Sequence, residues 1–146
     1  MAIRMPTGIF IDTGVFVAYA LKKDQNHGRA VHTLSECMRG RHGTVFTSDF
    51  IYNEALTLAL AITRQCNAAL SVHKLIFGEQ EELPRFIHML NVDKTIQELA
   101  YSEFQTTCKD GLSFTDTTTL VLMKLQEIPK IATFDTHFQG RAIVIG

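Results

Sequence analysis

Five short apolar runs, the first four separated from one another by stretches of helical periodicity and the last two by a turn at Gly140, constrain this chain more than any other feature. They fall at residues 8–11, 44–47, 85–92, 130–134 and 142–145. Strands joined through helices of ten or more residues pair in parallel, because a crossover is needed to bring the next strand alongside in the same direction. An α/β fold with a mainly parallel sheet is therefore expected. The helical stretches have readable limits. Val15, Ala18 and Tyr19 share one face between residues 15 and 23, and a second helix follows Asn26 through Ala30, Val31, Leu34 and Met38. Ser48 and Asp49 are placed to cap a helix with Ile51, Ala55, Leu58 and Ile62 as its apolar face. A further helix through Ala68, Leu70, Val72, Leu75 and Ile76 to Gly78 completes a hairpin. Residues 94–108 form a helix starting near Thr95, with Glu98 in capping-box position, and Ser113 opens the last one, which runs to Glu127 before Pro129.

A length of 146 residues with 46% hydrophobic and 20% charged content fits one compact domain over residues 1–146. The formal charge of −1 gives no whole-molecule attraction for a polyanion, so any nucleic-acid site must be local. Cys37, Cys66 and Cys108 are widely spaced and odd in number, which reads as three reduced core thiols. The first eight residues have no apolar signal core and no run approaches the roughly 20 residues that span a bilayer, so a soluble, cytoplasmic protein without a membrane partner is expected.

Ligands of open parallel sheets bind beyond the carboxyl ends of the strands. Asp12 ends the first run and Asp135 the fourth. Asp116 lies in the first turn of the last helix, in line with Leu120 and Met123, and Glu54 flanks the apolar stripe of the third. Each has an ordinary use: Asp12 as an N-cap, Asp116 in a Ser-x-x-Asp capping box, Asp135 in a turn, Glu54 reaching to solvent. Together they point elsewhere. Converging carboxylates repel one another unless a cation joins them, and an oxygen-only set favours Mg²⁺ or Mn²⁺ over zinc. No histidine pair has zinc-ligand spacing, and only His137 stands near an acid, Asp135. Such ions commonly act on phosphate esters. The letters Asp12-Thr13-Gly14 also match an aspartic protease motif, but the helical pattern right after Gly14 and the missing second motif make that match coincidental.

With these residues in view, the sequence resembles the PIN domain family of metal-dependent ribonucleases, which includes the VapC-type toxins of toxin-antitoxin systems. The resemblance rests on Phe10-Ile11-Asp12-Thr13 followed by Val15 to Ala18, on Asn53-Glu54, on Leu112 to Asp116, and on Ile131 to Phe138. It implies a three-layer α/β/α sandwich around about five strands. It also implies that Asp12, Glu54, Asp116 and Asp135 hold Mg²⁺ or Mn²⁺, with the Thr133 hydroxyl assisting, in an endoribonuclease. Gly14 and Thr117 depart from the commonest pattern without removing a ligand. Arg39, Arg41, Lys22, Lys23 and Arg64 are candidate phosphate contacts, with a solvated surface as the equal alternative. The hairpin from Phe50 to Phe77 carries more apolar residues than one core stripe needs (Leu56, Leu60, Leu70, Val72, Phe77), which together with the resemblance implies a homodimer interface and a surface for a protein antitoxin. Two rivals stand beside the nuclease. One is a catalytically silent PIN-like module that binds RNA or protein; the other, a dehalogenase-type phosphatase, needs a second acid where Gly14 stands.

Overall fold

The computed structural model describes residues 7–79 and 84–146. Residues 1–6, read above as part of a segment without a signal core, lie outside the described residues. Five strands form one all-parallel sheet: β1 (Ile9–Ile11), β2 (Val45–Ser48), β3 (Ile87–Leu90), β4 (Lys130–Ala132) and β5 (Ile143–Ile145), in the order β3-β2-β1-β4-β5. Six α-helices flank it in an α/β/α sandwich: α1 (Thr13–Ala20), α2 (His27–Met38), α3 (Asp49–Thr63), α4 (Cys66–Phe77), α5 (Lys94–Thr107) and α6 (Phe114–Leu125). Helix α1 packs on α2, α3 and α4, and α5 packs on α6.

The central strands are apolar on both faces, as strands covered by helices on each side must be. Ile9, Phe10, Ile11, Ile131 and Ala132 are wholly buried, and Phe16 and Phe138 close the core around them. Between β1 and β4 the strand order reverses direction. That is the topological switch point, and the register there is fixed: Ile11 pairs with Ala132, so Asp12 and Thr133 are the first residues beyond the paired strands on adjacent chains.

Several sequence expectations need correction. Helix α1 starts at Thr13, not Val15, because Asp12 already caps it. Helix α3 buries Ile51, Ala55 and Ala59, while Leu58 and Ile62 turn outward and are 39% and 56% exposed. Alanine at 59 is the residue that fits where α1 and α4 close on α3, and the larger side chains are rotated away. Helix α5 is capped by Asp93, whose Oδ1 accepts from the Ile96 N–H at 2.9 Å, rather than by Thr95 with Glu98. Aspartate is the stronger N-cap of the two. Asn26 holds the N-cap position of α2 but makes no capping hydrogen bond. Only Cys37 is buried; Cys66 and Cys108 are exposed. Ser48 does cap α3 through the Ile51 N–H at 3.1 Å, and Gly78 ends α4 in a left-handed conformation that leaves no room for a Cβ, which would lie 2.3 Å from the Arg85 nitrogen.

Candidate metal centre

Asp12 is the most constrained acid of the crevice. Its side chain is nearly buried where β1 gives way to α1, with Oδ1 accepting from the Thr13 N–H at 2.9 Å. Oδ2 accepts from the Thr133 hydroxyl at 2.7 Å, a contact set directly by the β1–β4 register. The same Thr133 oxygen accepts from the Asp135 N–H at 3.0 Å. One hydroxyl therefore couples the loop after β4 to the carboxylate after β1. Burial lifts the Asp12 carboxyl to about 6; the hydrogen bonds from Thr133 and Thr13 oppose the rise, and the charges of Asp116 and Glu54 add to it. Those two acids are thus near enough for their fields to reach Asp12.

Asp116 takes the ordinary use that the sequence offered it. It completes a capping box on α6: Ser113 Oγ accepts from the Asp116 N–H at 3.0 Å, and Asp116 Oδ2 accepts from the Ser113 N–H at 2.9 Å. Its other oxygen is left free of that box. Glu54 is half-buried on α3. Asp135 holds one of its oxygens within its own turn. Its Oδ1 accepts from the His137 N–H at 2.9 Å and lies 2.6 Å from His137 Nδ1, so the carboxylate is engaged with its own turn. His137 fits there because Gly111, at φ +88°, has no Cβ; one would stand 2.9 Å from His137 Nε2.

Among the described residues, no three His, Cys, Asp or Glu side chains have ligand spacing around one point. The chemistry of the donors still fits a hard cation. Every candidate donor is oxygen, and Asp12 is a buried carboxylate that feels the charges of Asp116 and Glu54 and has no Lys or Arg ion pair to it among the described residues. Beside it the Thr13 hydroxyl is buried without a hydrogen-bond partner. Magnesium is ordinarily held by one or two carboxylates and completes its shell with water and substrate oxygens, which is what Asp12 with Asp116 or Glu54 would offer.

Two functional candidates were not apparent from the sequence. Arg29 on α2 lies with its guanidinium 4.8 Å from the centre of the ring of Phe134, the residue between Thr133 and Asp135, and is steadied by Asn26 Oδ1 at 3.2 Å and by the Gly146 carbonyl. No Asp or Glu side chain among the described residues pairs with it. Arg39 and Arg41, the sequence candidates, both lean on Glu36 instead. Asp49 is the second: its Oδ1 accepts from the N–H of Phe50 at 3.0 Å and of Val92 at 2.9 Å, tying the start of α3 to the turn after β3. It steadies the helix that carries Glu54.

An all-parallel α/β sandwich with a buried aspartate, Asp12, at its switch point is the class that fold and site define. The PIN domain family matches residues 9–143, and the chain belongs to that family. Among solved structures the fold is similar to that of Mycobacterium tuberculosis VapC20, described as a sarcin-ricin loop cleaving toxin, at TM-score 0.77 and 22% identity over 93% of this chain and 96% of that one. It is also similar to FitAcB from Neisseria gonorrhoeae, at TM-score 0.62 and 21% identity over 94% and 96%, and to VapBC2 from Rickettsia felis bound to a promoter DNA fragment, at TM-score 0.61 and 11% identity over 94% and 96%. No curated protein matches. No helix among the described residues is long and apolar enough to cross a membrane.

Proposed function

We propose that this chain is a divalent-metal-dependent endoribonuclease that hydrolyses RNA phosphodiester bonds, and that it serves as the toxin of a toxin-antitoxin pair. The observation that carries the reading is Asp12, a buried carboxylate at the switch point, held by Thr133 and feeling the charges of Asp116 and Glu54. Asp12, Asp116 and Glu54 would hold Mg²⁺ or Mn²⁺, with Asp135 joining on release from His137. A bound divalent ion supplies Lewis acidity, activating water and offsetting the charge that builds on the attacked phosphodiester. The chain's own groups orient. Thr133 fixes the rotamer of Asp12 through Oδ2, the Thr13 N–H holds Oδ1, and the capping box sets Asp116 on the first turn of α6. Arg29 is the cation suited to the substrate backbone, because the Phe134 ring and Asn26 position it and no Asp or Glu side chain among the described residues pairs with it.

The partner reading rests on the outer face of the α3–α4 hairpin. Leu58, Leu60, Ile62 and Leu70 are each between 39% and 56% exposed, and that apolar surface suits a second copy of the chain or a masking antitoxin. Val72, counted with them from the sequence, belongs to the core. Fold similarity to a toxin and to VapBC and FitAB proteins supports a protein partner.

A catalytically silent PIN-like binding module draws on one observation, the engagement of Asp135 with His137. Incubation of the purified protein with unstructured RNA and with a sarcin-ricin-loop hairpin decides between the two. The nuclease reading expects cleavage in Mg²⁺ or Mn²⁺, none in EDTA, and none from Asp12→Asn or Asp116→Asn. Cleavage that survives EDTA or both substitutions, or no cleavage under any condition, would sink it.

A further inference from the structure

Beside the acidic crevice runs a groove of about 470 Å³ between α3 and α6. Glu54 stands on one wall, and Thr115, on the other, directly precedes Asp116 in the chain, so the groove adjoins two of the candidate site acids. Anything bound at the cluster has this groove as its neighbour. The lining is mixed in a particular way. Phe50, Leu58 and Ala61 supply apolar surface, and Phe50 is braced from behind by Phe114 at 6.5 Å, itself edge-on to Phe104 at 5.5 Å. Asn53, Thr57 and Thr115 supply an amide and two hydroxyls, none of which has a hydrogen-bond partner among the described residues. No Lys or Arg lines the groove among those residues.

That chemistry selects its occupant. Without a cation, and with Glu54 on its wall, the groove is a poor seat for a phosphate or an acidic peptide. A flat neutral group with hydrogen-bonding edges is its complement, because apolar platforms take the face while an amide and hydroxyls read the rim. The volume falls within the range of small-ligand sites. We infer that the groove is a nucleobase subsite, seating the base of the nucleotide next to the phosphodiester held at the acidic cluster. It gives the reaction a base preference through Asn53, Thr57 and Thr115. The inference rests on the RNA-cleaving reading for the source of its ligand and can fail separately from it.

The test has two arms. In the first, adenosine, guanosine, cytidine and uridine are titrated separately into ¹⁵N-labelled protein. The groove reading expects shifts at the Asn53 side-chain amide and at Thr57, Leu58 and Thr115, larger for one nucleoside than for the others, and lost in Ala61→Trp, where an indole fills the groove from an exposed position. In the second arm, a randomised single-stranded RNA pool is cut in Mn²⁺ and the product ends are sequenced. A preference at the position flanking the cut should weaken about three- to tenfold in Asn53→Ala, the worth of one hydrogen bond, and change again in Ala61→Trp. Cleavage whose flanking preference survives both substitutions overturns the subsite. So do nucleosides that leave the groove resonances unmoved, which would assign the groove to a protein segment. Selective shifts in a protein that cuts no RNA would sink the nuclease reading and leave the subsite standing.

Discussion

Replacing Asp12 by asparagine should stabilise the metal-free protein while abolishing its metal response. Burial lifts the Asp12 carboxyl from 3.8 to about 6, so the folded protein holds that proton more tightly than the unfolded chain does. The sign follows. The stability contributed by the protonated group is fully present below about pH 3.8 and is lost as pH rises to about 6. At neutral pH the folded state carries the full penalty of a buried anion, and about two pK units at roughly 1.4 kcal/mol each give about 3 kcal/mol. An asparagine side chain does not ionise. Its oxygen can still accept from the Thr13 N–H, but its NH₂ would meet the Thr133 hydroxyl donor, which must turn at a cost of about 1 kcal/mol. The net gain is about 2 kcal/mol, or about 4–8 °C in Tm for a chain of this size. Calorimetric melts in EDTA from about pH 4 to about pH 8 measure it, read as the difference between the two proteins so that other carboxylates cancel. The difference should grow up to about pH 6 and then level off. Millimolar Mg²⁺ or Mn²⁺ at neutral pH should raise the Tm of the parent protein and leave that of the variant in place. An Asp12→Asn protein less stable than its parent in EDTA at neutral pH would refute the argument, because the carboxylate would then be stabilised by its surroundings.

Three further outcomes are expected. Arg29→Ala, placed in the non-cleaving Asp12→Asn background, should weaken binding of single-stranded RNA and lower the salt slope by about 0.7, the share of one phosphate contact, as measured by fluorescence anisotropy across a salt series. Gly78→Ala must move the backbone at Arg85 and accept a φ of +67°, so it should cost about 2–3 kcal/mol in urea unfolding. Burial pushes the Cys37 thiol up to about 12, whereas Cys66 and Cys108 are exposed, so Ellman's reagent should find two thiols in the native protein and the third only after unfolding.

The strands and the loop acids were legible because they obey local rules. A short apolar run ending in Asp, followed by helical spacing, has few other solutions, and that reasoning located β1 with Asp12 and the capping box of Asp116. What escaped depends on the closeness of neighbours rather than on hydrophobicity. Nothing local ranks Ala59 above Leu58 as the inward residue of α3; the approach of α1 and α4 does. Arg29 finds Phe134 and Gly146 across more than a hundred residues of chain, so no spacing rule could reveal it. The short contact of Asp135 Oδ1 with His137, two residues on, was not foreseen beyond their being neighbours in sequence.

The pairing of Asp12 with Thr133 spans 121 positions and depends on β4 lying against β1. Ribosomes deliver a chain from its N-terminus, so β1, β2 and the helices carrying Glu54 and Asp116 are made before the residue that orients Asp12 exists. During that interval the polypeptide has three of its acids but not the hydroxyl that steadies the first of them. Under the proposed function, the site around Asp12 would be completed only with the docking of β4 against β1.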